Sequence, residues 1–200
     1  MNNNKQADSY ITRMGRRAGV LMHLSSLPGE HGIGDIGESA HAFVDALADM
    51  DVAVWQFLPL GPTAYGDSPY QPLSAFAGNP LLISPELLYR EGLLAAEDLE
   101  DAPDAAPGRV DFDRVVPWKN RLLRRSWELF ERRAPAELRD ELRSFAEDPA
   151  QASWLDDWTL FQAIRARRGG RGWWEWEPAL MRREAAALAS VRRGAAAEID

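Results

Sequence analysis

The stretch Val54–Pro80 reads VWQFLPLGPTAYGDSPYQPLSAFAGNP. A short apolar run carrying Trp55 and Phe57 stops at Pro59, and Gly, Pro, Ser, Asp and Tyr follow without helical or strand period. This pattern predicts a strand feeding a long loop. Loops of such length without structure of their own are usually functional or disordered. Tyr65, Tyr70, Phe76 and the prolines of this one favour order. Aromatic rings beside small polar groups and one carboxylate suit a polyhydroxylated ligand, whose C–H faces lie on rings while its hydroxyls take hydrogen bonds. A sugar is therefore the first ligand class to weigh.

Upstream, Gly19–Leu24 is a compact apolar run that reads as a strand buried on both faces, as in a parallel sheet covered by helices. The loop after it contains Gly32-Ile-Gly-Asp-Ile-Gly37. Its spacing imitates a dinucleotide fingerprint, but it lies too far from the strand and sets a carboxylate where a pyrophosphate would sit. These glycines are read as permission for tight turns. From Glu38, the positions Ala40, Phe43, Val44, Leu47 and Met50 form one helical stripe, closed by Asp51 before a strand over Val52–Leu58. Strand, helix, strand is a β-α-β unit with parallel strands and a right-handed crossover. Both loops leave the carboxyl edge of the strands, where barrels and open sheets place their sites.

Downstream the pattern changes. Pro85–Arg90 begins a helix that Gly92 ends, and Asp98–Asp113 reads as a surface connection. Helical stripes follow at Leu122, Leu123, Trp127 and Phe130, at Leu138, Leu142 and Phe145, and at Trp154, Trp158, Phe161 and Ile164. Their tryptophans are read as packing residues. A Gly/Arg loop over Arg165–Gly172 leads to Trp173–Pro178, and a last helix is predicted over Pro178–Arg193. Strand and helix thus alternate before about residue 95, and helices alone follow. Two strands are too few for an independent parallel sheet, so either the fold is unusual or the chain is the amino-terminal part of something larger.

Composition narrows the function classes. With 46% hydrophobic residues the 200-residue chain can build a core. A net charge of −8 and a pI near 5.0 argue against a nucleic-acid or anionic-membrane surface. No cysteine is present, which rules out a disulfide framework or thiolate metal site and fits a cytoplasmic home. His23, His31 and His41 lack the close pairing on one helix face that a zinc site favours. The first residues are polar and Asn-rich, without the apolar core of a secretory signal, and residues 1–16 are expected to be a disordered tail.

With both loops in view the chain becomes recognisable. Leu58–Gln71 followed by Ser74–Pro80 resembles the signature of amylomaltases, the 4-alpha-glucanotransferases of glycoside hydrolase family 77, also called disproportionating enzymes. Gly19–Pro28 with Gly32–Gly37 resembles that family's first strand and first loop. Trp154–Phe161 and the Trp-rich segment before Pro178 resemble its inserted helical region. The similarity runs from about Arg17 to the last residue.

The resemblance implies an α/β fold: the amino-terminal part of a (β/α)8 TIM barrel over residues 17–95, with its substrate loops, then an inserted, mainly helical subdomain over 96–200. It implies retaining transfer of alpha-1,4-glucan segments through a covalent glycosyl-enzyme intermediate, which needs two carboxylates about 5 Å apart. In the family these stand on later barrel strands, so no catalytic residue is expected within these 200 residues and the chain alone should be inactive. By resemblance Tyr70 lies against the glucose ring at the cleavage point. Ser68 and Asp67 order the loop or meet sugar hydroxyls, and Tyr65 helps a glucan chain bind nearby. Asp35 and His23 are weaker candidates, since a polar residue ending a strand often serves a hydrogen-bond network. Asp67 and Ser68 also suit simple turn caps, and Asn79 reads as structural. Asp35 and Asp67 lack the apolar surround that would make them a catalytic acid/base pair. The expected ligands are maltose, maltotriose and longer maltodextrins, with no cofactor, metal, nucleic acid or membrane. Two other readings stand beside transfer: a non-catalytic glucan-binding or remnant piece, and an amylase-like alpha-glucan hydrolase.

Overall fold

The computed structural model describes residues 15–104 and 108–195. Residues 1–14 of the expected tail and 105–107 of the connection lie outside them. Strands β1 (Gly19–Leu21) and β2 (Val54–Gln56) pair in parallel, with Gly19 opposite Val54 and Leu21 opposite Gln56. The Met22 N–H extends the ladder by donating to the Gln56 carbonyl at 3.0 Å, and the Trp55 indole N–H returns to the Met22 carbonyl at 2.7 Å. Between the strands runs α1 (Glu38–Asp49). Asp51 closes it in the left-handed region at φ 55°, and the Val52 N–H turns back to the Leu47 carbonyl. A core forms where Leu24, Leu27, Ala40 and Leu82 meet Met22, Phe43, Trp55 and Leu60.

Two expectations need correcting here. The first strand is not buried on both faces: Val20 and Trp55 are half-buried, but Leu21 is 59% exposed and Val54 is exposed too. Among the described residues the sheet has only these two strands, so α1 covers one face and nothing covers the other. The α1 stripe is likewise narrower than its period suggests. Ala40 and Leu47 are buried and Phe43 packs on Trp55, while Val44 and Met50 face solvent because so small a sheet covers only one line of the helix.

Past the second loop, α2 (Pro85–Arg90) starts on a proline and ends at Gly92, φ 73°. Helix α3 (Phe112–Arg133) is capped by the Asp111 carboxylate, which accepts from the Arg114 N–H. Its buried face is Val115, Trp118, Lys119, Leu122, Ser126 and Leu129. Val115 packs with Ile33 and Leu81, and Trp118 and Leu122 pack with Leu94. The chain forms two compact units that divide between Ala134 and Pro135, with α3 in the strand-bearing one.

The second unit holds α4 (Ala136–Glu147), α5 (Pro149–Arg167), α6 (Pro178–Met181) and α7 (Ala185–Gly194). Leu160, Ile164, Trp176 and Leu180 form its core, with Phe161, Leu188 and Val191 against them. The stripe on α4 is not core: Leu142 and Phe145 are exposed, since within its unit α4 packs chiefly along α5, the helix that follows across Asp148. The predicted last helix is two helices. Arg183 takes φ 55°, the Arg183 and Glu184 N–H groups close α6 on the Leu180 and Ala179 carbonyls, and the chain restarts as α7. That turn lets Leu180 and Leu188 reach one cluster from different helices. The tryptophans divide too. Trp118 and Trp176 are buried, Trp154 and Trp158 are half-buried, and Trp173 and Trp174 are 52% and 65% exposed.

Candidate functional site

Both loops leave the carboxyl ends of the parallel strands, so they rise from the same edge. The second is closed by hydrogen bonds at two levels. At its base the Asn79 N–H donates to the Leu60 carbonyl at 2.7 Å. Higher up, Thr63 and Pro72 form an antiparallel bridge, backed by the Leu73 N–H on the Pro62 carbonyl at 2.8 Å. Gly61 permits this closure, because a Cβ there would stand 2.8 Å from the Pro72 side chain and the Ser74 carbonyl. The excursion over 64–71 thus springs from a fixed neck. Its tip is a 3-10 turn, Tyr65–Asp67, in which Gly66 and Asp67 are both left-handed at φ 65° and 52°. Aspartate is among the few side chains that tolerate this conformation.

At that tip the structure brings Asp67, Ser68 and Tyr70 together. The Ser68 hydroxyl accepts from the Tyr70 N–H at 3.4 Å, a local turn that fixes where Tyr70 departs. The Tyr70 side chain is 70% exposed. Burial pushes the Asp67 carboxyl above the ordinary carboxylate range, with the Asp113 charge adding to the effect. Tyr65 belongs to the same turn by its backbone, but its side chain lies outside what is described. Asn79 is a cap: its Oδ1 accepts from the Leu81 N–H at 3.0 Å and starts the 3-10 turn Pro80–Leu82.

His23 and Asp35 sit apart from this tip. His23 lies two residues past β1, where burial lowers its pKa, and its Nδ1 is buried without a hydrogen-bond partner among the described residues. Asp35, in the first loop, accepts from the Ser84 hydroxyl and the Gly37 N–H and stands 3.9 Å from the Lys119 ammonium. Burial raises its pKa, while Lys119, His31 and these hydrogen bonds oppose the rise. Among the described residues different groups act on the two carboxylates: Lys119, His31, Ser84 and Gly37 on Asp35, and Asp113 on Asp67.

Sequence reasoning missed Lys119, Ser84 and Trp118. Lys119 is wholly buried, and burial brings its pKa down to about 8 against the pull of Asp35. Its neighbour Trp118 stacks on His31 at 5.5 Å and 11°. A signal for Lys119 existed: it falls on the stripe of Val115, Leu122, Ser126 and Leu129, where a solvated lysine would be out of place. A groove of about 530 Å3 runs along the first loop, lined by Ser25, Ser26, Gly29, Ile33 and Arg109, with hydroxyl and backbone groups at its wall. A second of about 490 Å3 is largely apolar, between Leu60, Ile83 and Leu87. Among the described residues no group of acidic, histidine or cysteine side chains could hold a metal ion, and no helix is long and apolar enough to cross a membrane.

A family model described as 4-alpha-glucanotransferase, of glycoside hydrolase family 77, matches residues 22–200. The chain belongs to that family. Among relatives, the 4-alpha-glucanotransferase of Synechocystis is 42% identical over 173 residues, covering 86% of this chain and 34% of the relative. That of Thermus thermophilus is 40% identical over 184 residues, covering 92% and 36%. Among solved structures, an amylomaltase from Streptococcus agalactiae in complex with acarbose superposes with a TM-score of 0.83 at 37% identity, over 92% of this chain and 37% of that one. The chain therefore spans about a third of the length of these family members. At this identity and TM-score it folds as part of an amylomaltase does.

Proposed function

We propose that the chain forms one wall of the glucan cleft of a 4-alpha-glucanotransferase that moves alpha-1,4-glucan segments onto glucose or maltodextrin acceptors. Residues 17–95 are the first part of a (β/α)8 barrel carrying the substrate loops, and 96–200 are an inserted, mainly helical region. The observation that carries this reading is the exposed Tyr70 ring on a tip braced at two levels, in a chain of this family. Bracing of the loop backbone lowers the cost of ordering the loop when the exposed ring meets the C–H side of a pyranose.

In the proposed reaction one carboxylate attacks the anomeric carbon as a carboxylic acid protonates the departing glycosidic oxygen. The acceptor's 4-hydroxyl then attacks the glycosyl-enzyme, returning its proton to the now basic second carboxylate, and the configuration is retained. Both carboxylates lie in the part of the family's length that this chain does not span. Tyr70 packs on the glucose ring at the cleavage point, and Tyr65 helps a glucan chain bind nearby. Ser68 and Asp67 shape the tip or bind hydroxyls. His23, past the end of the strand, and Asp35, in the first loop, stand as further contacts. The ligands are maltose, maltotriose and longer maltodextrins, the compartment is the cytoplasm, and neither cofactor nor metal takes part.

Incubating the 200-residue protein with maltotriose tests the division of labour. The expected result is that neither glucose nor longer maltodextrins form, although maltodextrin binds saturably by calorimetry. Turnover would overturn the placement of the carboxylates outside the chain, and absence of saturable binding would overturn the cleft reading.

A further inference from the structure

The buried ammonium of Lys119 has no part in the reading above. It comes from α3, yet it meets both substrate-loop segments. Its Nζ donates to the Ile83 carbonyl, just past the turn where the second loop ends, and it lies 3.9 Å from the Asp35 carboxylate of the first loop. Asp35 in turn accepts from the Ser84 hydroxyl, and Ser84 is itself buried next to Ile83. The Ile36 N–H donates to the Leu82 carbonyl at 2.9 Å, joining the same two segments beside the charges. There is no slack at this junction: a Cβ on Gly37 would stand 2.6 Å from both Asp35 Oδ1 and Ser84 Oγ. Around it the packing is apolar, through Ile33, Leu81 and Val115.

We infer that Lys119 is a positioning residue that fixes the first substrate loop against the exit of the second. An apolar side chain of the same length would fill the space without the desolvation cost of a buried cation. A cation does what it could not, because one ammonium serves a carbonyl and a carboxylate from two different segments at once. The pull is directional, and it ends if either acceptor moves away. The effect on glucan binding rests on the cleft reading, whereas the coupling of the loops does not.

The test uses the 200-residue chain as wild type, Asp35→Asn, Lys119→Met and the double variant Lys119→Met/Asp35→Asn, which leaves no unpaired buried charge and serves where the single Lys119→Met variant fails to fold. Amide hydrogen exchange and maltodextrin binding are both measured. In the double variant, read against Asp35→Asn alone, we expect protection at Ile36 and Leu82 to fall at least tenfold while the amides of Val115 and Leu122 in α3 keep theirs, with maltodextrin affinity about tenfold weaker. Protection at Ile36 within twofold of Asp35→Asn would overturn the inference. So would equal loss throughout α3, which would make Lys119 a general stability residue. If wild type binds no maltodextrin, the cleft reading fails and the exchange pattern alone decides the role of Lys119.

Discussion

Tyr70 is 70% exposed on a loop whose backbone is braced at Thr63–Pro72 and again at Leu60–Asn79, so its ring stands open to a ligand from a fixed base. Tyr70→Ala should therefore weaken maltodextrin binding by about tenfold, ~1.4 kcal/mol, while Tyr70→Phe keeps most of the affinity because the ring face survives. Calorimetric titration of the two variants checks this, and equal loss in both would instead assign the contact to the hydroxyl. Lys119 makes a prediction of opposite character. Its folded-state pKa of about 8 lies below its unfolded value of 10.5, so between those values the unfolded chain binds more protons and stability rises with pH. Below pH 8 the buried charge is destabilising by about 3 kcal/mol relative to high pH. Denaturant unfolding of wild type against Lys119→Met should thus show a difference that shrinks in favour of wild type from about pH 8 to 10.5. A pH-independent difference would contradict the buried, shifted lysine. At this scale the caps were legible: Asn79 read as structural and does cap a turn, because capping is local chemistry. Lys119 carried only one signal, its place on an apolar stripe, because its burial depends on the chain beyond its own helix closing over it.

Elements show the same contrast between local and distant causes. The helix over 38–49, the stop at Gly92 and the order strand, helix, strand follow from period and breakers, and all are present. The length of the strands and the exposure of Leu21, Val44 and Met50 were illegible, because burial depends on which layers cover an element and not on its own pattern. The glycines of the first loop are a case where sequence pointed to the right physics. A Cβ on Gly34 would stand 2.2 Å from the Leu24 carbonyl oxygen and 2.6 Å from that of Leu27, backbone atoms that cannot step aside. Gly34→Ala should cost about 3 kcal/mol, measured as a lowered unfolding midpoint at unchanged slope. In the second unit, Trp176 and Trp173 look alike in sequence but not in place. Trp176→Ala removes a ring packed on Leu160 and Leu180 and should cost about 3–5 kcal/mol, whereas Trp173→Ala should change stability by less than about 1 kcal/mol. Equal effects would mean that the exposed indole is packed in solution.

As a whole molecule the chain is two compact units, one bearing both strand-end loops and α3, the other helical around Trp176. That division lies later than the change of sequence pattern, since helix content marks where strands stop but not which core a helix joins. Leu21, Val54 and Phe57 at the sheet and Ile83 and Leu87 along the apolar groove leave apolar surface uncovered, so the 200-residue chain should self-associate with rising concentration, seen by sedimentation velocity. The central claim remains that the tip over 64–71 is where a glucan lies. Titrating the 15N-labelled chain with acarbose, the ligand of the Streptococcus agalactiae amylomaltase structure, tests it most directly. The account predicts saturable shifts centred on the amides of 64–71 that vanish in Tyr70→Ala. Shifts absent from that tip, or unchanged in the variant, would contradict it.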